Sequence, residues 1–136
     1  MSKNKGIIPI FFAVDDNYSK ILSVALQSIV SQASKDYDYH INILNINLGE
    51  KSKKELAFFS KDNFTVNFYD MTETISGVNM PLRDYYTKTI YFRVFIADMF
   101  PQYDKAIYFD CDICLNADVS EFYNIDIGDN YLGAIT

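Results

Sequence analysis

The chain contains no tryptophan, one histidine and two cysteines among its 136 residues. The cysteines, Cys111 and Cys114, have the spacing of a redox or zinc motif. A redox pair is expected at a helix N-terminus, and a zinc site would need ligands beyond these two and His40. We therefore interpret both cysteines as small residues of a strand-to-turn segment.

Positive charge is also scarce, with 12 Lys and Arg against 18 Asp and Glu and a formal net charge of -6. A nucleic-acid backbone attracts dense Lys and Arg surfaces, so we expect no nucleic-acid partner. No stretch approaches the roughly 20 apolar residues of a membrane span. The run from Ile7 to Val14 is too short for a signal peptide and is broken by Pro9. We expect one cytoplasmic domain covering residues 1–136.

The first half of the chain alternates strand patterns with helix patterns. We predict strands over residues 6–14, 39–46 and 64–70, a helix over residues 18–33, and a second helix after Gly49 with a capping box of Ser52 and Glu55. This βαβαβ order is typical of parallel strands joined by crossover helices. It predicts an α/β protein with a doubly wound, mostly parallel sheet and flanking helices.

The second half begins with a predicted loop over residues 71–88 and a helix over residues 89–100 that Pro101 ends. Arg93 lies among apolar residues of that helix. Because an unpaired buried charge is costly, its guanidinium must either reach solvent or pair with an anion, and the sequence leaves both alternatives open. Further along, we predict strands over residues 105–109 and 131–135 and a short turn or helix over residues 119–123.

Two carboxylates, Asp110 and Asp112, follow the strand predicted over residues 105–109. Ligands of open α/β sheets collect at the carboxyl ends of the strands. Hard divalent cations prefer oxygen ligands and bring substrate phosphates with them. The acidic pair therefore predicts a metal-assisted phosphate or nucleotide site, and Asp15 and Asn17 follow the first strand in the same way.

Four segments in this order resemble glycosyltransferase family 8, the retaining nucleotide-sugar transferases that include glycogenin and bacterial lipopolysaccharide galactosyl- and glucosyltransferases. They are residues 12–18 (FAVDDNY), 89–93 (TIYFR), 105–112 (KAIYFDCD) and 131–134 (YLGA). A lone DxD is a weak signal, but in this order and context it is specific. The resemblance covers essentially the whole chain.

The resemblance implies a GT-A fold that moves a hexose from UDP-glucose or UDP-galactose to a saccharide or glycan acceptor. Asp110 and Asp112 would bind Mn²⁺ or Mg²⁺ against the diphosphate of the UDP-sugar. Arg93 matches an arginine near the diphosphate and donor sugar, and we count it with the two aspartates as catalytic. The remaining implied nucleotide-binding residues are Ala13, Val14, Asp15, Asn17, Tyr18, Ile90 and Cys111.

Family members also carry a sugar-contacting acidic residue beyond the last strand and a metal-binding histidine much further on. Neither occurs among these residues, which end at Thr136. We therefore expect the donor-binding part of a truncated enzyme, with weak metal and nucleotide affinity and a tendency to self-associate through an exposed sheet edge.

Two alternatives remain. A phosphatase of the haloacid-dehalogenase type also uses an Asp at a strand end and a second Asp two residues on. That motif has Thr or Val four residues after the first Asp, where this chain has Cys114, and it follows the first strand rather than the fourth. The other alternative is a nucleotide- or metal-binding module without transfer activity.

Overall fold

The computed structural model describes residues 6–77 and 91–134. They form a sheet of four parallel strands in the order β3-β2-β1-β4. The strands are β1 (Gly6–Val14), β2 (Tyr37–Asn45), β3 (Phe64–Asp70) and β4 (Ile107–Tyr108). The helices are α1 (Ser19–Gln32), α2 (Glu50–Ala57), α3 (Thr72–Ser76), α4 (Ile96–Met99) and α5 (Val119–Tyr123), and two 3-10 helices span Asp16–Tyr18 and Tyr91–Phe95. The predicted α/β architecture is confirmed.

The central strand β1 is buried on both faces of the sheet. On one face, Ile10 and Phe12 belong to a buried cluster that includes Leu26 of α1. On the other face, the rings of Phe11 and Phe100 pack with their centroids 4.8 Å apart. A strand covered on both sides needs continuous apolar residues, which explains the unbroken run seen in the sequence.

The predicted capping box of α2 is wrong. The helix begins at Glu50 with Gly49 as its N-cap residue, so Ser52 already lies inside the first turn. Its hydroxyl donates a hydrogen bond of 2.6 Å to the carboxylate of Asp16 instead. A partner 36 residues away therefore replaces the local cap that the sequence suggested.

The loop predicted after β3 contains a short helix, α3. Asp70 accepts hydrogen bonds from the main-chain N–H of Thr72 at 2.9 Å and from its hydroxyl at 2.6 Å, just before the short helix α3, whose N-cap residue is Met71. Residues 78–88 of the predicted loop lie outside the described residues. The helix predicted over residues 89–100 is, in its described part, a 3-10 helix followed by the single turn of α4.

The last two predicted strands also differ from the structure. β4 pairs with β1 through only two residues, because the chain turns away towards the acidic pair directly after Phe109. Residues 131–134 form no strand, and the side chains of Tyr131 and Leu132 are exposed rather than packed in a core. Residues 135 and 136 lie outside the described part.

All four strands run in the same direction, so their carboxyl ends share one edge of the sheet. The segments that follow β1 and β4, two neighbouring strands, thereby come together at that edge. Among residues 6–77 and 91–134, no helix has the length and apolar character needed to cross a membrane.

Candidate functional site

The turn after β1, residues 15–18, is built on the side chain of Asp15. Its carboxylate accepts hydrogen bonds from the main-chain N–H groups of Asn17 at 3.0 Å and Tyr18 at 3.2 Å. This is the usual capping role of an aspartate, and it fixes the 3-10 helix that precedes α1. The turn leaves Asn17 exposed and the Tyr18 side chain 39% exposed at the end of β1.

The acidic loop, residues 110–112, lies directly against this end of β1. The N–H of Phe109 donates to the carbonyl of Phe11 at 3.0 Å, which extends the contact between the strands. The thiol of Cys111 donates to the carbonyl of Ala13, also at 3.0 Å. Asp110 and Asp112 stand exposed on either side of this anchored cysteine. The structure therefore brings the two carboxylates beside the turn after β1.

The Cys111 thiol is unreactive at neutral pH. Burial, together with the negative charges of Asp110, Asp112 and Asp15, raises its pKa to about 12. A thiol with so high a pKa is protonated at neutral pH, whereas redox cysteines have lowered pKa values. Both cysteines are free in the structure, and Cys114 is exposed. We assign Cys111 a role in packing and hydrogen bonding.

Arg93 reaches solvent, the first of the two alternatives left by the sequence. Its side chain is exposed, and its guanidinium carbon lies 5.8 Å from the centre of the Tyr108 ring. Burial and the charge of Asp110, only partly opposed by Arg93, raise the pKa of Tyr108 to about 12. The structure therefore places the Arg93 guanidinium over the ring of Tyr108, two residues before Asp110.

The donor atoms of the acidic loop fit a divalent cation that carries phosphates. Asp110 and Asp112 offer two exposed carboxylates, and Mg²⁺ is commonly held by one or two carboxylates together with substrate phosphates and water. Within the described residues, no cluster of three or more His, Cys, Asp or Glu side chains is arranged to hold a metal. The pair would thus bind a cation jointly with its ligand.

One residue implied by the resemblance contributes no side chain to this surface. The side chain of Val14 is 1% exposed and packs in the core, so any contact with a ligand must come from its main chain. Ile90 lies outside the described residues.

Two other residues at this edge were missed by the sequence prediction. Tyr108 lies beneath the Arg93 guanidinium, and its position follows only from the way β4 meets the 3-10 helix Tyr91–Phe95. Asp16 binds the start of α2 through Gly49 and Ser52. In the sequence, Asp16 was visible only as a second aspartate directly after Asp15, which gives no indication of a contact with α2.

A parallel α/β sheet of this order, with polar turns at the carboxyl ends of its two neighbouring strands, has the GT-A fold of glycosyltransferases. The family model described as "Glycosyl transferase family 8" matches residues 9–136. The chain belongs to this family. Membership favours a glycosyltransferase over the phosphatase alternative.

Similar proteins support the same family. One relative is a Haemophilus influenzae protein that carries a provisional glycosyltransferase name. It is 32% identical over 127 residues, which cover 92% of this chain. The bifunctional glycosyltransferase WbbM superposes with a TM-score of 0.80 at 25% identity over 96% of this chain. The galactosyltransferase LgtC, solved in complex with donor and acceptor sugar analogs, superposes with a TM-score of 0.73 at 26% identity over 91% of this chain.

The chain spans less than half the length of each of these proteins. The shares are 38% of the Haemophilus influenzae protein, 23% of WbbM and 45% of LgtC. The ligands and reactions of the larger proteins are therefore not assigned to this chain on similarity alone.

Proposed function

We propose that residues 1–136 form the donor-binding part of a retaining glycosyltransferase. The enzyme would move glucose or galactose from a UDP-sugar to a saccharide or glycan acceptor with the help of Mn²⁺ or Mg²⁺. One observation carries the proposal: the Cys111 thiol binds the Ala13 carbonyl at 3.0 Å. That contact sets the Asp110 and Asp112 carboxylates next to the turn after β1, as a nucleoside diphosphate and its metal would require.

The turn after β1 offers groups that suit a nucleoside. Tyr18 has a partly exposed ring on which a uracil base can stack. Both hydrogen bonds that Asp15 accepts from its own turn use Oδ1, and its Oδ2 would accept from a ribose hydroxyl. The exposed Asn17 amide supplies donors and an acceptor to the same ligand. The main chains of Ala13, Val14 and Cys111, together with Ile90, would complete the nucleotide contacts.

The opposite side of the site suits a diphosphate leaving group. Asp110 and Asp112 would hold the metal, which as a Lewis acid supplies stabilisation of the negative charge on the departing phosphate oxygen. Arg93, whose guanidinium lies over the ring of Tyr108, would add a positive charge for the same oxygens. The anomeric carbon exchanges its bond to UDP for one to the acceptor oxygen, with retention, and the acceptor proton is released.

The proposal is tested by UDP release from UDP-glucose and UDP-galactose, with and without a saccharide acceptor. We expect release to require Mn²⁺ or Mg²⁺ and to be lost in Asp110→Asn and Asp112→Asn. Asp36→Asn is the matched control, because Asp36 is an exposed acid just before β2, at the opposite edge of the sheet. Release that is independent of metal, or that survives both substitutions, would contradict the site. Metal-dependent UDP binding without release would leave a nucleotide-binding module.

A further inference from the structure

The turn after β1 is tied to helix α2 by the side chain of Asp16. Its Oδ1 accepts hydrogen bonds from the Gly49 N–H at 3.0 Å and from the Ser52 hydroxyl at 2.6 Å. The Ser52 hydroxyl also lies 3.2 Å from the hydroxyl of Ser19, which donates back to the Asp16 carbonyl at 3.0 Å. One carboxylate thus joins the start of α1 to the start of α2.

The hydrogen bonds from Ser52 and Gly49 lower the pKa of Asp16, so the carboxylate is charged at neutral pH. Gly49 packs closely on the same carboxylate, since a Cβ added there would lie 3.2 Å from Oδ1 and Asp16 would have to shift by a few tenths of an ångström. The glycine, the serine and the aspartate therefore form one fitted contact. It lies at the carboxyl edge of the sheet and involves a residue between the two proposed nucleoside contacts Asp15 and Asn17.

We propose that Asp16 is a positioning residue for the donor nucleotide. Asp15 shapes the turn from within, but its hydrogen bonds do not fix the turn relative to the rest of the sheet edge. The bonds from Asp16 to α2 supply that second restraint and hold Asn17 and Tyr18 in the orientation that receives the nucleoside. This inference rests on the proposed UDP site.

A purely structural role for Asp16, as a cap of α2, would affect folding stability without affecting nucleotide affinity. The two roles are separable because the chain contains a second contact of the same chemistry. Asp70 accepts one main-chain N–H and one hydroxyl from Thr72 at the start of α3, again with a distance of 2.6 Å to the hydroxyl. β3 is separated from β1 by β2, so this contact is away from the turn after β1.

The experiment measures the dissociation constant of UDP at saturating Mn²⁺, by calorimetry, for Asp16→Ala, Ser52→Ala and the double variant. Melting temperatures are recorded for each. We expect each single variant to weaken UDP binding roughly five- to tenfold, since affinity falls with the fraction of molecules in the binding conformation. The double variant should bind no worse than Asp16→Ala, because both changes remove one contact. Ser52→Thr should retain the wild-type affinity, and the control Asp70→Ala should stay within about twofold.

UDP binding by Asp16→Ala within twofold of wild type would overturn the inference, as would an equal loss in Asp70→Ala. Absence of UDP binding by the wild type would instead refute the proposed function. In that case amide hydrogen exchange at Asn17 and Tyr18 decides whether Asp16 orders the turn. Faster exchange in Asp16→Ala than in Asp70→Ala supports the positioning, and unchanged exchange overturns it.

Discussion

The partly buried state of the Cys111 thiol can be tested by alkylation. Its pKa is raised to about 12, primarily by burial, so at pH 8 about one thiol in 10,000 is ionised. An ordinary thiol with a pKa near 8.5 is ionised in about one molecule in four at that pH. The ionised fraction alone would slow the reaction roughly 2,000-fold. A less acidic thiolate is the stronger nucleophile, which recovers about fortyfold. We therefore expect a net rate roughly fiftyfold below that of an unfolded cysteine, before any steric effect.

The assay follows iodoacetamide labelling by intact mass in a Cys114→Ser variant, so that only Cys111 reacts. The same variant unfolded in guanidinium chloride supplies the reference rate. The matched control is Cys111→Ser, in which the exposed Cys114 should label at a similar rate in folded and unfolded chains. Labelling of folded Cys111 at the rate of the unfolded chain would refute its burial and its bond to Ala13.

Two further predictions concern hydroxyl and aromatic contacts. Tyr39→Phe should lower the free energy of unfolding by about 1–2 kcal/mol in urea titrations, because the hydroxyl of the buried Tyr39 donates to Asp118 at 2.7 Å. The control Tyr37→Phe loses only an exposed contact to Asn124, so it should lower the free energy of unfolding by less. Burial raises the pKa of Asp118, but hydrogen bonds from Ser120, Tyr39 and Ser34 outweigh it and hold the pKa below its ordinary value. The stability from a lowered pKa is present above about pH 4 and is lost as the pH falls through the folded value, so the cost of Tyr39→Phe should shrink in acid; a constant cost would contradict this. Tyr108→Leu should weaken UDP-sugar binding about two- to fivefold, because a cation–π contact at an exposed site contributes about 0.5–1 kcal/mol. Tyr108→Phe keeps the aromatic ring and should bind the UDP-sugar as the wild type does. Equal losses of affinity in both variants would refute the contact between Tyr108 and Arg93.

Features that depend on burial alone could be predicted from the sequence. The continuous apolar run of β1 and the alternation in β3 report which side chains meet the core, and the strand ends follow from them. Because parallel strands share an edge, the positions of Asp15 and of Asp110 then followed as well. The five-residue helix α3 is too short to show a helical period, so it was hidden in a predicted loop.

Contacts between distant residues could not be predicted. The bond between Asp16 and Ser52 joins positions 36 apart, and the sequence favoured a local cap for Ser52 instead. The direction of Arg93 depends on the position of the Tyr108 ring beside it. The anchoring of the acidic loop depends on the meeting of Cys111 and Ala13 across 98 positions. Each of these contacts is decided by tertiary packing rather than by local propensity.

Asp110 and Asp112 are proposed to hold a metal against UDP beside the turn after β1, so UDP with Mn²⁺ should raise the melting temperature through these two carboxylates. A ligand at a hundredfold excess over its dissociation constant stabilises the folded state by about 2.7 kcal/mol, which raises the melting temperature by several degrees. We predict that rise for the wild type and its loss in Asp112→Asn. An equal rise in Asp112→Asn, or no rise in the wild type, would show that these carboxylates do not hold a metal against UDP.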